Sequence, residues 1–231
     1  TSLGDYMSGL YGAIGILMAL RHRDESGRGQ VIDLGLYESV FRVLDEIAPR
    51  YAKTGFVREP EGIGTINACP HGHFPSGDGK FLAIACTTDK MFERLTIAME
   101  REDLLEKFGD QATRLDNRVQ VLKEVEKWTR SLPRETIIDV CTRNGVPAGS
   151  INSIADIFED EHFKAREAIK HVKVPGVGDV AVPNVFPTLS ETPGTIDNLG
   201  PGLGDHNKDL YREELALSDS ELESLKESGV I

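Results

Sequence analysis

The sequence has 231 residues, of which 39% are hydrophobic and 28% charged, and its formal net charge is −12. This length corresponds to one large or two small domains, and this composition predicts a folded core rather than a disordered chain. The excess of acidic over basic residues argues against a surface that binds nucleic acid, because such a surface needs an excess of Lys and Arg. The cysteines Cys69, Cys86 and Cys141 are widely spaced, which favours free thiols in a reducing compartment.

The first predicted element is an apolar helix over residues 6–24 that is rich in small residues. Its apolar run, Gly9–Leu20, is about a dozen residues long, whereas a bilayer span needs about 20. We therefore expect a buried helix and no membrane segment. A strand at Gln30–Leu36 and a helix at Tyr37–Thr54 follow. One strand between two helices predicts the end of an open α/β sheet whose other strands lie outside this sequence.

A second unit is predicted after a Gly- and Pro-rich crossover at residues 55–75. It begins with a hairpin around Gly77–Gly79 and a strand at Lys80–Cys86. Periodicity then predicts helices at 89–99, 118–131, 134–144 and 153–168, and two short strands at His171–Val174 and Asp179–Val182. A Pro- and Gly-rich linker at 192–204 leads to a polar helical tail at 205–231.

Asp5 is the first candidate for chemistry, because it is an isolated carboxylate just before a predicted helix. Asp is among the best N-caps, where its side chain accepts a backbone N–H and stabilises the helix by about 1 kcal/mol. The same position suits a nucleophile, since the free N–H groups of a helix N-terminus orient a carboxylate. On the residues alone the cap is favoured, and both roles stay open.

Several motifs, taken in order, resemble those of the class III CoA-transferases, which include formyl-CoA and carnitine CoA-transferases. They cover nearly the whole chain, and the opening run most resembles succinyl-CoA:dicarboxylate CoA-transferases that act on mesaconate, citramalate or malate. The matching segments are Leu3-Gly4-Asp5-Tyr6, Ser26-Gly27-Arg28-Gly29-Gln30, Leu36-Tyr37-Glu38-Ser39, Pro75–Phe81, Asn117-Arg118, Gly145–Gly149, Pro193-Gly194 and Leu203-Gly204-Asp205-His206.

The resemblance implies an α/β fold in which residues 1–55 are the end of a large Rossmann-like domain. Residues 56–73 would form a Gly-rich crossover, 74–190 a small α+β domain, and 191–231 a linker and helix that return to the large domain. It also implies an N-terminal half, absent from this sequence, that makes most CoA contacts and covers helix 6–24. The expected partner is a second copy in an interlocked homodimer, or that missing half as a separate chain.

The resemblance also implies a reaction in which Asp5 attacks an acyl-CoA thioester and then carries CoA as an aspartyl thioester. CoA and acyl-CoA would be substrates, the second substrate a carboxylic acid, and no metal or organic cofactor would be bound. One alternative is the related acyl-CoA racemase chemistry, with Asp5 as a base. Another is a non-catalytic homologue that binds acyl-CoA. We expect a cytoplasmic protein, with the mitochondrial matrix as the alternative.

Four further residues are candidates for substrate binding or for a lid. Gly62 and Gly64 occupy the place of the family's glycine-rich lid, although the glycines here are not consecutive. His71 and His73 are candidate contacts for an acidic substrate. The pattern Cys69-x-His71-x-His73 lacks the further ligands of a closed zinc site, so solvated loop histidines are the leading interpretation. Arg28 is a weak CoA-phosphate candidate, and a structural pair with Asp33 or Glu38 is the alternative.

Overall fold

The computed structural model describes residues 2–60, 62 and 64–231. The chain divides into two compact units at Gly64/Thr65. We refer to residues 1–64 as the N-terminal unit and to Thr65–Ile231 as the C-terminal unit.

The N-terminal unit contains helices α1 (Leu3–Ser26), α2 (Leu36–Arg42) and α3 (Ile47–Thr54). Helix α1 ends at Gly27, whose positive φ of 70° lets its N–H bond back to the carbonyl of Arg23. The predicted strand at Gln30–Leu36 is wrong: residues 28–35 are irregular, and the described part of this unit has no strand that could pair with them. The predicted helix at 37–54 is two helices, because Asp45 between them has a φ of 54°.

Helix α1 is apolar but lies almost entirely at the surface of its unit. Ser8 is its one buried residue, held by a hydrogen bond of 3.0 Å from Ser8 Oγ to Ser39 Oγ of α2. Tyr6 and Leu17 are 68% and 67% exposed, so the expected burial does not occur in the part of the chain that the structure describes. By length and by a mean hydropathy of 1.3, α1 could also span a membrane, a test that core helices of soluble proteins pass as well.

The C-terminal unit contains a three-stranded antiparallel sheet, a two-stranded sheet and several helices. The first sheet has the order β1-β2-β3, with β1 at His71–Pro75, β2 at Phe81–Ala85 and β3 at Ala148–Ile151. The second pairs β4 (Ile169–Val174) with β5 (Gly178–Pro183). The helices are α4 (Asp89–Ala98), α5 (Asp103–Phe108), α6 (Gln111–Asp116), α7 (Arg118–Thr129), α8 (Arg134–Arg143), α9 (Ile154–Glu159), α10 (Glu161–Ala165), a π-helical stretch at Lys208–Glu214, and α11 (Asp219–Glu227).

One hydrophobic core holds residues 69–148 of this unit together. Alternate residues of β1 and β2 point inward, so that Phe74, Leu82 and Ile84 pack against helices α4, α7 and α8. The core continues with Phe92, Leu95, Val121, Val125 and Ile137, together with the thiols of Cys69, Cys86 and Cys141. Only the inner face of the three-stranded sheet is covered in this way.

Arg114 is a charged residue inside this core, with no exposed side-chain area. Its guanidinium donates to the carbonyls of Cys69 (2.7 Å), Phe108 (3.0 Å) and Gly109 (2.8 Å). It also donates to Asp89 Oδ1 at 2.7 Å and stacks 4.7 Å from the Phe92 ring. Through these bonds Arg114 links the residue two before β1 to the C-terminal end of α5 and to Asp89 of α4.

Most predicted elements of the C-terminal unit are present. The hairpin, helices α4, α7 and α8, and the β4–β5 pair confirm the predicted segments within a few residues. The predicted helix at 153–168 is two short helices that meet at Asp160, and α5, α6 and β3 were not predicted. The predicted boundaries at 55/56, 73/74 and 190/191 stay predictions, although β1 starts at His71 rather than at 74.

Candidate active site

Asp5 lies in the first turn of α1 rather than at its cap. Ser2 occupies the N-cap position without a side-chain hydrogen bond, and the N–H of Tyr6 donates to the Ser2 carbonyl at 3.1 Å. The predicted cap role is therefore wrong, because the helix begins two residues before Asp5. The Asp5 carboxylate is exposed and has no side-chain partner among the described residues. A carboxylate in this turn is stabilised by the helix dipole and stays available for chemistry.

Gly62 and Gly64 have backbone conformations that favour glycine, with φ values of 76° and 127°. Glu61 and Ile63, the sequence neighbours of Gly62, lie outside the described residues. The chain after them is held firmly: Arg118 Nη1 donates to the Thr65 carbonyl at 2.6 Å, and Gln111 Nε2 to the Asn67 carbonyl at 2.8 Å. A lid role for the two glycines stays a prediction.

His71 and His73 lie on the outer face of the three-stranded sheet, on the edge strand β1. His71 is half-buried and His73 is exposed. The antiparallel register places His71 opposite Ala85 and His73 opposite Ala83, and Ala83 is in turn opposite Gly149. The structure thus brings the two predicted imidazoles together, beside a strip of small residues that the sequence did not reveal.

Cys69 does not share this face. It is fully buried in the core, where desolvation raises the pKa of its thiol despite the opposing effect of Arg118 and Arg114. A buried neutral thiol is a poor metal ligand. Among the described residues, no three His, Cys, Asp or Glu side chains are grouped so that they could hold a metal ion.

Arg28 follows the C-cap of α1 and is exposed. Its predicted pairing with Glu38 does not occur, because Glu38 Oε2 accepts the N–H of Gly35 at 2.9 Å as a helix-capping interaction. No ion pair to Asp33 is formed among the described residues either. The Arg28 guanidinium is therefore available to a ligand, but nothing else in its surroundings identifies one.

Comparison with known proteins shows which family this chain belongs to. The model of CoA-transferase family III matches residues 1–207 of this chain. The chain belongs to CoA-transferase family III. The family resemblance of the sequence motifs is confirmed, and Asp5, both glycines and both histidines lie inside the matched region.

A solved CAIB/BAIF family protein from Brucella suis has the same fold, with a TM-score of 0.74 and 29% identity over 91% of this chain and 55% of that one. This confirms the α/β fold class.

Two relatives of this family III chain come from Chloroflexus aurantiacus. The alpha subunit of succinyl-CoA–L-malate CoA-transferase is 53% identical over 99% of this chain and 54% of its own length. The beta subunit of the same enzyme is 46% identical over the whole chain and 58% of its own length. The chain thus spans about half the length of the curated relatives it matches.

Proposed function

We propose that the complete protein is a CoA-transferase that moves CoA from succinyl-CoA to a small dicarboxylic acid. The observation that carries this proposal is the 53% identity to a succinyl-CoA–L-malate CoA-transferase subunit, which runs through 99% of the chain. At such identity over such length, we expect the reaction class to be shared. The substrates in this proposal are CoA thioesters and free acids, with no metal or organic cofactor.

In the proposed reaction, Asp5 is the nucleophile. A carboxylate oxygen of Asp5 attacks the thioester carbonyl of succinyl-CoA, the C–S bond breaks, and CoA leaves as a thiolate from a mixed anhydride. The thiolate then attacks the Asp5 carbonyl carbon, which releases succinate and leaves an aspartyl-CoA thioester. The acceptor carboxylate repeats these steps in reverse. Each step passes through an oxyanion, which nearby N–H donors stabilise.

The position of Asp5 supports this role. Its carboxylate has no competing side-chain partner in the described chain, so its oxygens are free to attack. The first backbone N–H groups of α1 have no intrahelical acceptor, and they favour negative charge at this end of the helix. Gly4 and Gly9 lie near Asp5 on the same helix and add no side-chain bulk around it.

We propose that the surface in contact with helix α1 is protein rather than a membrane. Because an all-round apolar helix is stable only when it is covered, we propose that α1 is covered by the part of the fold that the relatives have in addition. A homologous chain is the second proposed partner, since the relatives are named alpha and beta subunits. The small residues Gly9, Gly12 and Gly15 favour close contact with another backbone over contact with lipid.

The test is Asp5→Asn in the complete protein, assayed for malyl-CoA formation from succinyl-CoA and malate. We expect transfer to fall by about three orders of magnitude or more. Hydroxylamine added after succinyl-CoA should inactivate the unsubstituted enzyme and leave a hydroxamate at Asp5. The matched control is Asp24→Asn, which removes an exposed carboxylate from the other end of α1 and should keep full activity. Retained transfer in Asp5→Asn would contradict the proposal.

A further inference from the structure

The outer face of the three-stranded sheet has an unusual composition. In the register of the sheet, two rows cross it: His71 beside Ala85, and His73 beside Ala83 and Gly149. In these two rows, the central strand β2 contributes only the methyl groups of Ala83 and Ala85. A Cβ placed on Gly149 would meet no atom within 4 Å, so the space above Gly149 is open. We call these five residues the histidine shelf.

The imidazoles of the shelf have unused hydrogen-bonding capacity. Nδ1 of His71 is a buried nitrogen that has no hydrogen-bond partner among the described residues. A proton on that nitrogen would have no acceptor, so the neutral ring carries its proton on Nε2, which makes Nε2 a donor. Neither His71 nor His73 forms an ion pair within the described chain, unlike His171, whose Nδ1 lies 2.6 Å from Asp179 Oδ2.

The spacing of the two rings suits a small organic acid. Residues two apart on a strand face are separated by about 7 Å, so donors on both rings can approach one short, flat molecule. A carboxylate accepts imidazole N–H bonds strongly because the bond is charge-assisted. The methyl groups of Ala83 and Ala85 offer an apolar floor to the carbon chain between two carboxylates.

We propose that the histidine shelf binds a small dicarboxylic acid, with the His71 and His73 imidazoles as hydrogen-bond donors to its carboxylates. The acid class rests on the proposed function, whereas the binding surface rests on the geometry of the C-terminal unit alone. His71 and His73 are in this proposal specificity-determining residues, and they take no part in bond making or breaking.

The direct test is NMR of the complete protein with ¹⁵N-labelled histidine, titrated with succinate, L-malate and propionate. We expect the ring signals of His71 and His73 to move saturably with both dicarboxylates, at least about tenfold more tightly than with propionate. The His171 signal should stay in place, because its ring is already paired with Asp179. His73→Ala should weaken dicarboxylate binding about tenfold, while His171→Ala should leave it unchanged.

A second variant blocks the shelf without touching a histidine. Gly149→Val adds a β-branched side chain, which suits a strand, into space that the structure leaves open. We expect this variant to fold with an unchanged unfolding midpoint and to lose dicarboxylate binding. In the transferase assay, it and His73→Ala should raise KM for the acceptor about tenfold and change kcat little.

The outcomes separate this proposal from the proposed function. If the two ring signals do not move with dicarboxylates while Asp5-dependent transfer is intact, the shelf is not the acid-binding surface and the proposal fails. The proposal also fails if both rings are shielded by protein in the complete enzyme, or if propionate binds as well as succinate. If transfer survives Asp5→Asn but the rings respond as expected, the mechanism is wrong and the shelf proposal stands.

Discussion

The two units of this chain use apolar residues in opposite ways. The C-terminal unit buries Leu82, Ile84 and Leu95 completely in one core, whereas the longest helix of the N-terminal unit leaves nearly all of its apolar residues exposed. Hydrophobic sequence alone therefore does not make a core, because burial requires a partner surface. Residues 69–148 of the C-terminal unit hold that surface within themselves, and helix α1 of the N-terminal unit requires one from elsewhere.

The largest expected effect tests whether the C-terminal unit is organised by its own core. Arg114→Met removes the donor to the buried carbonyls of Cys69 and Phe108 and to the partly buried carbonyl of Gly109. We expect the free energy of unfolding of this unit to fall by about 3–5 kcal/mol, because the buried carbonyls lose their partner without access to water. Denaturant unfolding followed by the fluorescence of Trp128 measures this change.

The control is Arg101→Met, which removes an arginine whose guanidinium bonds the carboxylates of Asp103 and Glu124 at the surface. Its cost should stay below about 1 kcal/mol, since exposed ion pairs contribute little. Equal costs for the two variants would show that burial of Arg114 is not what stabilises the unit.

The second prediction compares the units directly by removing one leucine from each. Leu95→Ala leaves a cavity at a fully buried position of α4, and it should cost about 3 kcal/mol. Leu17→Ala on α1, where the residue is 67% exposed, should cost less than about 0.5 kcal/mol in this chain. In the complete protein, the cost of Leu17→Ala should rise to about 2 kcal/mol or more if α1 is covered as proposed. An unchanged cost there would refute the proposed covering.

The same contrast explains what the sequence could predict. Helices α7 and α8 and the β1–β2 hairpin follow from local periodicity and turn residues, because their partners are close in the same unit. The strand expected at Gln30–Leu36 did not form, since a strand depends on a neighbour that the described chain does not provide. Helices α5 and α6 have six residues each, which is too short for periodicity to show.

The candidate site was predictable to a similar extent. The order of motifs identified the family, because such motifs are local in sequence, and it made Asp5 the candidate nucleophile, which stays a prediction. The place of Asp5 inside the first turn was not predictable, since helix ends are the least certain feature of sequence patterns. The pairing of the two histidines with Ala85 and Ala83 follows from the hairpin, but Gly149 lies opposite Ala83 through strands far apart in the chain, and such pairing leaves no local signal. Arg114 carries no such signal either, because arginines are rarely buried.

The third prediction concerns the thiols that the core of the C-terminal unit encloses. Burial raises the pKa of Cys86 from 9.0 to about 12, with smaller contributions from Cys141 and Cys69, and burial raises that of Cys141 to about 11. The unfolded chain loses these protons near pH 9 while the folded chain keeps them. Stability is thus fully present below pH 9 and is lost as the pH rises toward the folded values.

We expect the free energy of unfolding to fall by roughly 2–3 kcal/mol from pH 9 to about pH 10.5 through these two thiols together. Cys86→Ala should reduce that fall, although it lowers stability at neutral pH by leaving a small cavity. Denaturant midpoints measured at both pH values for both proteins give the difference. Parallel pH profiles for the two would show that the buried thiols do not carry the effect.

The smallest expected effect distinguishes the helix starts of the two units. Thr88 caps α4, with its Oγ1 accepting the N–H of Met91 at 3.3 Å, whereas Ser2 stands at the same position of α1 without such a bond. Thr88→Ala should therefore lower stability by about 1 kcal/mol, and Ser2→Ala should change it by less than about 0.3 kcal/mol. Denaturant midpoints resolve this difference. A loss of about 1 kcal/mol for Ser2→Ala would mean that Ser2 caps α1, and that the N-terminal unit secures this helix end by itself.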